Sequence, residues 1–272
     1  MTTSEDWAGR VGEAWADEWR RTDLSFAGLS PHLDAAILAA APETGAAIDI
    51  GCGAGGTSIA LAAARPKLSI TGIDLSETLV EAARRRGTAH DNLTFRAGDA
   101  TALGDVNADL LFSRHGVMFF DDPIAAFARL RMAANDGARL VFSCFRDFAL
   151  NPWAADAVTA IAGAAPPVPG TTPGPFAFAD RDRVAAILAA SGWRGEPQAI
   201  DYTHRAGEGS DAVGDAVAFF RRIGPAASKL RELDPAARDA GLARLRTLLE
   251  TRLSNGAVDF PAAAWIWSCR AA

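Results

Sequence analysis

Residues 47–56 read Ala-Ile-Asp-Ile-Gly-Cys-Gly-Ala-Gly-Gly: an apolar strand carrying Asp49 that runs into a glycine-rich turn. Gly51, Gly53 and Gly55 have no Cβ, so the backbone can approach a ligand closely where the strand ends and a helix opens. Such a turn suits a nucleotide-like cofactor, and alone it leaves open which one. Gly51, Gly53 and Gly56 satisfy the dinucleotide pattern G-x-G-x-x-G, and Asp74 follows about twenty residues later, as that pattern asks. Gly51, Gly53 and Gly55 equally satisfy Asp-x-Gly-x-Gly-x-Gly. A dinucleotide brings a pyrophosphate to the turn, and a nearby carboxylate repels it. Asp49, two residues before the first glycine, instead favours a cofactor that brings positive charge there.

Outward from the turn, strands and helices alternate. Ala46–Ile50, Leu68–Leu75, Leu93–Ala97, Ala108–Ser113 and Arg139–Phe145 read as strands. Helices follow at Thr57–Ala64, from Glu77 to about Arg86 with Ser76 as N-cap, and at Pro123–Ala134. This rhythm indicates a parallel, doubly wound α/β sheet, whose ligands sit at the carboxyl ends of its strands. The glycine turn, Asp74 and Asp99 all fall at such ends. Upstream, residues 5–45 read as helical, with Trp7, Val11, Trp15 and Trp19 at three- and four-residue steps. That stripe is expected to pack against the sheet, with capping of the cofactor by Trp15 or Trp19 as the alternative. Beyond residue 146 come a helix running into a Pro/Gly-rich loop within Asn151–Thr172 and a helix at Asp182–Ser191. A strand at Gln198–His204, two helices within Ala212–Leu253 and a final strand at Ala263–Cys269 follow.

With these motifs in order, the chain resembles the class I S-adenosylmethionine-dependent methyltransferases of small-molecule type, and within them a bacterial subgroup of unassigned substrate. The resemblance rests on Asp49–Gly56, Gly72-Ile-Asp-Leu-Ser76, Gly98-Asp-Ala100, Ala108–Ser113 and Asp136-Gly-Ala-Arg-Leu140. It implies a Rossmann-like, seven-stranded, mostly parallel, doubly wound sheet with helical lid insertions. Residues 1–45 would form a helical cap and 46–145 the cofactor-binding core. Residues 146–272 would supply the substrate lid, the last helix and the final two strands. The resemblance assigns Asp49, Gly51, Gly53 and Gly55 to the methionine end of S-adenosyl-L-methionine and Asp74, with Leu75 beside it, to the ribose. It assigns Asp99 and Ala100 to the adenine and Ser113 to a backbone contact with the ammonium. Any one of these aspartates could simply cap a helix or turn; three at these spacings point to the cofactor. The subgroup more commonly carries Phe where His115 stands here.

The 272 residues are 49% hydrophobic and 22% charged, with a net charge of −6, which argues against nucleic acid as a partner. The N-terminus lacks a signal-peptide layout and no apolar run is long enough for a membrane span, so a cytoplasmic setting is expected. Cys52, Cys144 and Cys269 and the four histidines show no metal-ligand spacing, so no metal is expected.

Methyl transfer from a sulfonium needs orientation and a dry pocket, plus a base when the acceptor is a hydroxyl or an acidic carbon. His115 is the candidate base, with His204 and Tyr202 as alternatives, although each can equally be structural. Phe145, Phe148, Trp153, Phe176, Phe178, Phe219 and Phe220 would line an apolar or aromatic acceptor site, or else a core or homodimer face. Arg114 and Arg146, with Arg221 and Arg222 behind them, could bind a substrate carboxylate. O-methylation of a small molecule is slightly favoured. A nicotinamide-dependent oxidoreductase, a peptide or protein methyltransferase and a non-catalytic binding protein stay as alternatives. Tyr202 stands without a Tyr-x-x-x-Lys pattern, which weighs against the oxidoreductase.

Overall fold

The chain enters through short helices because Gly9 and Glu18 interrupt what the tryptophan spacing reads as one long element. The computed structural model describes residues 4–104 and 106–272. Its first helices are α1 (Ser4–Ala8), α2 (Arg10–Asp17), α3 (Trp19–Ser25) and α4 (Ser30–Ala40). The alternating region follows as β1 (Gly45–Ile50), α5 (Gly56–Ala64), β2 (Leu68–Asp74), α6 (Glu77–Arg86), β3 (Leu93–Ala97), β4 (Ala108–Arg114), α7 (Pro123–Met132) and β5 (Ala134–Phe145). The remainder comprises α8 (Pro152–Ala162), α9 (Arg181–Ala190), β6 (Trp193–Glu208), α10 (Ala212–Arg222), α11 (Gly224–Glu232), α12 (Pro235–Thr251), β7 (Leu253–Ser254) and β8 (Ala257–Ala271).

Among the described residues these strands form one sheet in the order β3-β2-β1-β4-β5-β8-β6, with the two-residue β7 paired to β8 as an eighth member. The neighbours from β3 through β5 are parallel, whereas β8 runs antiparallel to both β5 and β6. Chain order reverses between β1 and β4, which opens a crevice at the carboxyl ends of the two strands. The register sets Asp49 beside Gly72 on one side and Phe112 on the other.

The last strands are longer than the sequence suggests. Pro197 lies in β6, the edge strand of the order, where a missing N–H costs no ladder bond on the open side. Pro261 lies in β8 beyond its last pairing with β5, Phe145 with Ala264. The region after residue 212 holds three helices rather than two. Gly224, at φ +76°, breaks the chain and Pro225 restarts it, then Asp234 caps α12 by accepting from the Ala237 N–H. Ser76 caps α6 as expected, accepting from the Leu79 N–H.

The core is continuous across the sheet. Phe112, Phe127, Phe142, Phe178, Trp193 and Trp267 are fully buried, and the Trp193 indole donates to the Phe127 carbonyl at 3.0 Å. Burial of each such ring is worth roughly 1.5–3 kcal/mol. Phe178 and Phe220, expected at the substrate, belong to this core.

Phe95 on β3 explains three glycines at once. A Cβ on Gly55, Gly72 or Gly87 would lie 2.6, 2.5 or 2.8 Å from its ring. Gly55 also has φ +80°. Gly55→Ala should therefore lose about 3 kcal/mol of stability through backbone strain and overpacking. Gly53→Ala, at φ +54° with open space around its Cβ, should lose about 1 kcal/mol. Urea denaturation of both variants checks this, and equal losses would contradict it.

Candidate functional site

The carboxyl ends of β1, β2 and β4 open into a cavity of about 510 Å³, within the range of small-molecule sites. Gly51, Cys52, Gly53 and Ala54 form its floor, with Asp49, Asp74, Leu75, Asp99 and Ala100 along one end. Phe26, His115, Phe145, Trp153, His204 and Phe219 line the other end.

Asp49 is buried, and its Oδ2 accepts from Ser58 Oγ at 2.6 Å. Its Oδ1 has no partner. Burial pushes the carboxyl up to about 7 against the opposing pull of Ser58 and Arg114. A buried acid with one orphaned oxygen at a cavity wall fits a cationic donor and repels a phosphate. The residues present therefore fit the ammonium end of S-adenosylmethionine.

Asp74 closes β2 and accepts two backbone hydrogens, Gly53 N–H at Oδ2 and Ser76 N–H at Oδ1, each at 2.9 Å. Burial raises its pKa despite these bonds. Asp99 is exposed at the rim, and its Oδ1 accepts from the Thr101 N–H and hydroxyl at 2.7 and 2.8 Å. The turn-capping role considered for such an aspartate is thus real for Asp99 and coexists with its place on the cavity.

Two of the expected cofactor residues do not line the cavity. Gly55 faces Phe95 and Ala83 and serves packing, whereas a Cβ on Gly56 would meet Asp23 at 3.2 Å. Neither glycine lines the cavity. Ser113 is buried, its hydroxyl donating to the Ile50 carbonyl at 2.6 Å and accepting from the Gly116 N–H at 3.1 Å. It locks the β4 end to the glycine turn.

His115 follows β4 with φ +65°, a strained conformation for a residue with a side chain. Its Nδ1 shares a hydrogen bond with Ser143 Oγ at 2.7 Å, while Nε2 is buried without a partner. The ring meets Phe145 at 4.2 Å and Phe26 at 4.9 Å. Burial, then the Arg114 charge, push its pKa down to about 3, so the imidazole is neutral and weakly basic at neutral pH. The expectation of a base with an ordinary histidine pKa is corrected. His204 is likewise buried and lowered to about 3 by burial, with both ring nitrogens unpartnered. Tyr202 does not line the cavity; burial raises its pKa above the ordinary range.

Of the candidate carboxylate binders, Arg114 lines the cavity but donates to Asp23 Oδ1 at 2.7 Å and lies 5.3 Å above the Phe26 ring. Arg146 does not line it and pairs with Asp201 at 2.7 Å. Arg222 pairs with Asp17 and Glu18 of the entry helices. Trp153 lines the cavity, donating from Nε1 to Asn151 Oδ1 at 3.0 Å, while Phe148 and Phe176 stand behind it.

The entry helices bring their tryptophans over the cavity, while α3 and α4 also pack on the sheet. Trp7, Trp15 and Trp19 are half-buried and line it. Asp23 on α3 fastens them down, bridging Arg86 and Arg114 at 2.7 Å each, with the Arg86 guanidinium 3.9 Å over the Trp19 ring. Sequence reading missed Asp23, because a lone aspartate in a helix carries no spacing signal. Among the described residues there is no helix long and apolar enough to cross a membrane, and no cluster of three or more potential metal ligands.

Residues 47–137 match the family model described as a methyltransferase domain. Curated relatives include the malonyl-[acyl-carrier protein] O-methyltransferases of Xylella fastidiosa (strain M23) and Hahella chejuensis (strain KCTC 2396). They are 31% and 34% identical over 100 residues, covering 36% and 35% of this chain. The chain spans about a third of their length, 34% and 35%. Among solved structures, the YcgJ protein from Bacillus subtilis aligns with a TM-score of 0.58 at 17% identity, covering 89% of this chain and 98% of that one. A phosphoethanolamine N-methyltransferase of Haemonchus contortus, in complex with S-adenosylhomocysteine, aligns with a TM-score of 0.54 at 16% identity, covering 95% and 57%. Residues 47–137 thus match a methyltransferase domain, and the chain around them has the Rossmann-like α/β fold of the class I S-adenosylmethionine-dependent methyltransferases.

Proposed function

We propose that the protein transfers a methyl group from S-adenosyl-L-methionine to a small, apolar or aromatic molecule, with oxygen as the favoured acceptor atom. The observation that carries this reading is the buried, half-partnered Asp49 beside the glycine turn, facing an aromatic chamber in the same cavity. When bound, the cofactor supplies an electrophilic methyl group on a sulfonium.

The chain's own residues account for holding it. Asp49 Oδ1 takes the ammonium, the glycine turn admits the chain of the methionine, and Asp74 and Leu75 face the ribose. Asp99 and Ala100 stand at the adenine end. The tryptophans of α1–α3 exclude water from above, held there by the Asp23 bridge. Such enclosure strengthens every polar contact inside and keeps water from competing as acceptor. His115 lines the cavity with its Nε2 unpartnered, and the neighbouring Gly116 packs on Gly51. A neutral imidazole there orients an acceptor by hydrogen bonding, and takes its proton only reluctantly.

The curated relatives are named for malonyl-[acyl-carrier protein], but the similarity to them covers only about a third of this chain. The lining of the acceptor end comes mostly from residues 145–225, outside the matched residues 47–137.

Transfer of labelled methyl groups from S-adenosylmethionine into a panel of small aromatic alcohols tests the reading. Incorporation that depends on Asp74 supports it; its absence from small molecules, with incorporation into protein instead, would contradict it. Asp74→Ala removes a charged acceptor and also frees the Gly53 and Ser76 N–H groups. Its affinity for S-adenosylhomocysteine should fall by about 2 kcal/mol, roughly thirtyfold, in calorimetry.

Asp49 makes a second prediction. With a pKa of about 7 it is roughly half protonated at neutral pH, and a cation placed against it favours the ionised form. Binding of S-adenosylhomocysteine at pH 7 should therefore release about half a proton, and affinity should weaken as pH falls below 7. Calorimetry in buffers of different ionisation enthalpy reads this directly. Asp49→Asn should abolish the release, and an unchanged release in that variant would contradict the assignment.

A further inference from the structure

Beyond the cofactor end, the cavity is lined by six aromatic side chains, and two of them are histidines with buried, unpartnered ring nitrogens. His115 Nε2 and both nitrogens of His204 are buried with no partner. Native structures leave few buried polar atoms so, and each asks for an explanation. Their rings are held rigidly. Trp153 lies parallel to His204, with centroids 4.7 Å apart and 15° between planes, while Phe145 meets His115 at 4.2 Å and Trp153 at 4.9 Å. Phe219 backs His204 at 6.1 Å. Asn151 holds this wall in register: its amide donates to the Arg146, Asp147 and Ala263 carbonyls, and its carbonyl accepts from Trp153 Nε1 and the Ala263 N–H.

The chamber carries no net charge. Neither histidine is protonated near neutral pH, and no carboxylate is among these six side chains. Arg114, the adjacent guanidinium, is committed to Asp23. A carboxylate entering here would lose its hydration without gaining a free cation, and desolvating an unpaired charge is costly. A hydroxyl is different, because it donates one hydrogen bond and accepts another. Flat aromatic walls favour a flat apolar body.

Resting on the methyltransferase reading above, we propose that this chamber binds an uncharged, flat, hydroxyl-bearing acceptor, its hydroxyl held between His115 and His204. Trp153 and Phe145, packed against each other, offer an aromatic wall for the body of such a molecule, and the histidines select the hydroxyl over a hydrocarbon of the same shape. The inference separates this protein from its curated relatives, whose names specify an acid-bearing acceptor.

The test is equilibrium dialysis of the S-adenosylhomocysteine-saturated protein against 2-naphthol, 2-methylnaphthalene and 2-naphthoate. 2-Naphthol should bind about tenfold tighter than 2-methylnaphthalene, the usual cost of leaving buried polar groups unpaired, and tighter than 2-naphthoate. His204→Phe should erase most of the preference over 2-methylnaphthalene while S-adenosylhomocysteine still binds. His204→Gln, which keeps a donor and an acceptor, should restore part of it. The proposal is overturned if the wild-type protein shows no preference for the hydroxyl, if 2-naphthoate binds more tightly than 2-naphthol, or if the preference survives His204→Phe. Should the wild-type protein fail to bind S-adenosylhomocysteine, the cofactor reading fails by itself, and dialysis of the protein alone still reads the hydroxyl preference.

Discussion

The carboxylate of Asp74 ties the site together. From the end of β2 it accepts the N–H of Gly53, twenty-one positions earlier, and that of Ser76, which in turn caps α6. Two crossover units are thereby joined at the mouth of the sheet, and the glycine turn holds its left-handed shape against a fixed point. Hydrogen bonds to a charged acceptor are among the stronger ones in folded proteins. Asp74 therefore both lines the cavity and shapes its floor. Ser113 makes the matching connection from β4, and the Asp23 bridge makes it from the entry helices.

This construction divides the cavity by charge. Carboxylates line the end at β1 and β2, while the end closed by β5, β6 and α8 is aromatic and neutral. Both ends perturb their titratable groups by burial, in opposite directions of charge: Asp49 is pushed toward its protonated form, His115 and His204 toward their unprotonated forms. All three are groups whose burial a ligand can offset, and such groups concentrate at functional sites. The positive φ of His115 belongs to the same pattern: from that backbone conformation its ring meets Ser143 and Phe145.

The parallel half of the fold was legible because its first three strands are short runs that end in, or run straight into, a glycine or an aspartate. The carboxyl-end residues Asp49, Asp74 and Asp99 could be named from spacing alone, and they meet at one cavity. The antiparallel half was read too short, because Pro197 and Pro261 sit in strand positions that lack a second partner, a fact of topology invisible in a single segment. Gly55 was assigned to the cofactor for a similar reason: what it packs against is Phe95, about forty residues away. The tryptophan stripe has helical periodicity, but periodicity reports a common face and not what that face covers. Whether an arginine is free or committed is likewise a tertiary matter, as Arg114 with Asp23 and Arg146 with Asp201 illustrate.

The central claim is that one cavity, floored by the glycine turn and walled by Asp49 and Asp74, is built for a cationic methyl donor's framework and not for a pyrophosphate. Calorimetric titration of the wild-type protein with S-adenosylhomocysteine and, separately, with NADH tests that claim most directly. The account predicts one S-adenosylhomocysteine bound per chain and no heat of binding with NADH. Saturable binding of NADH, with S-adenosylhomocysteine inert, would contradict it.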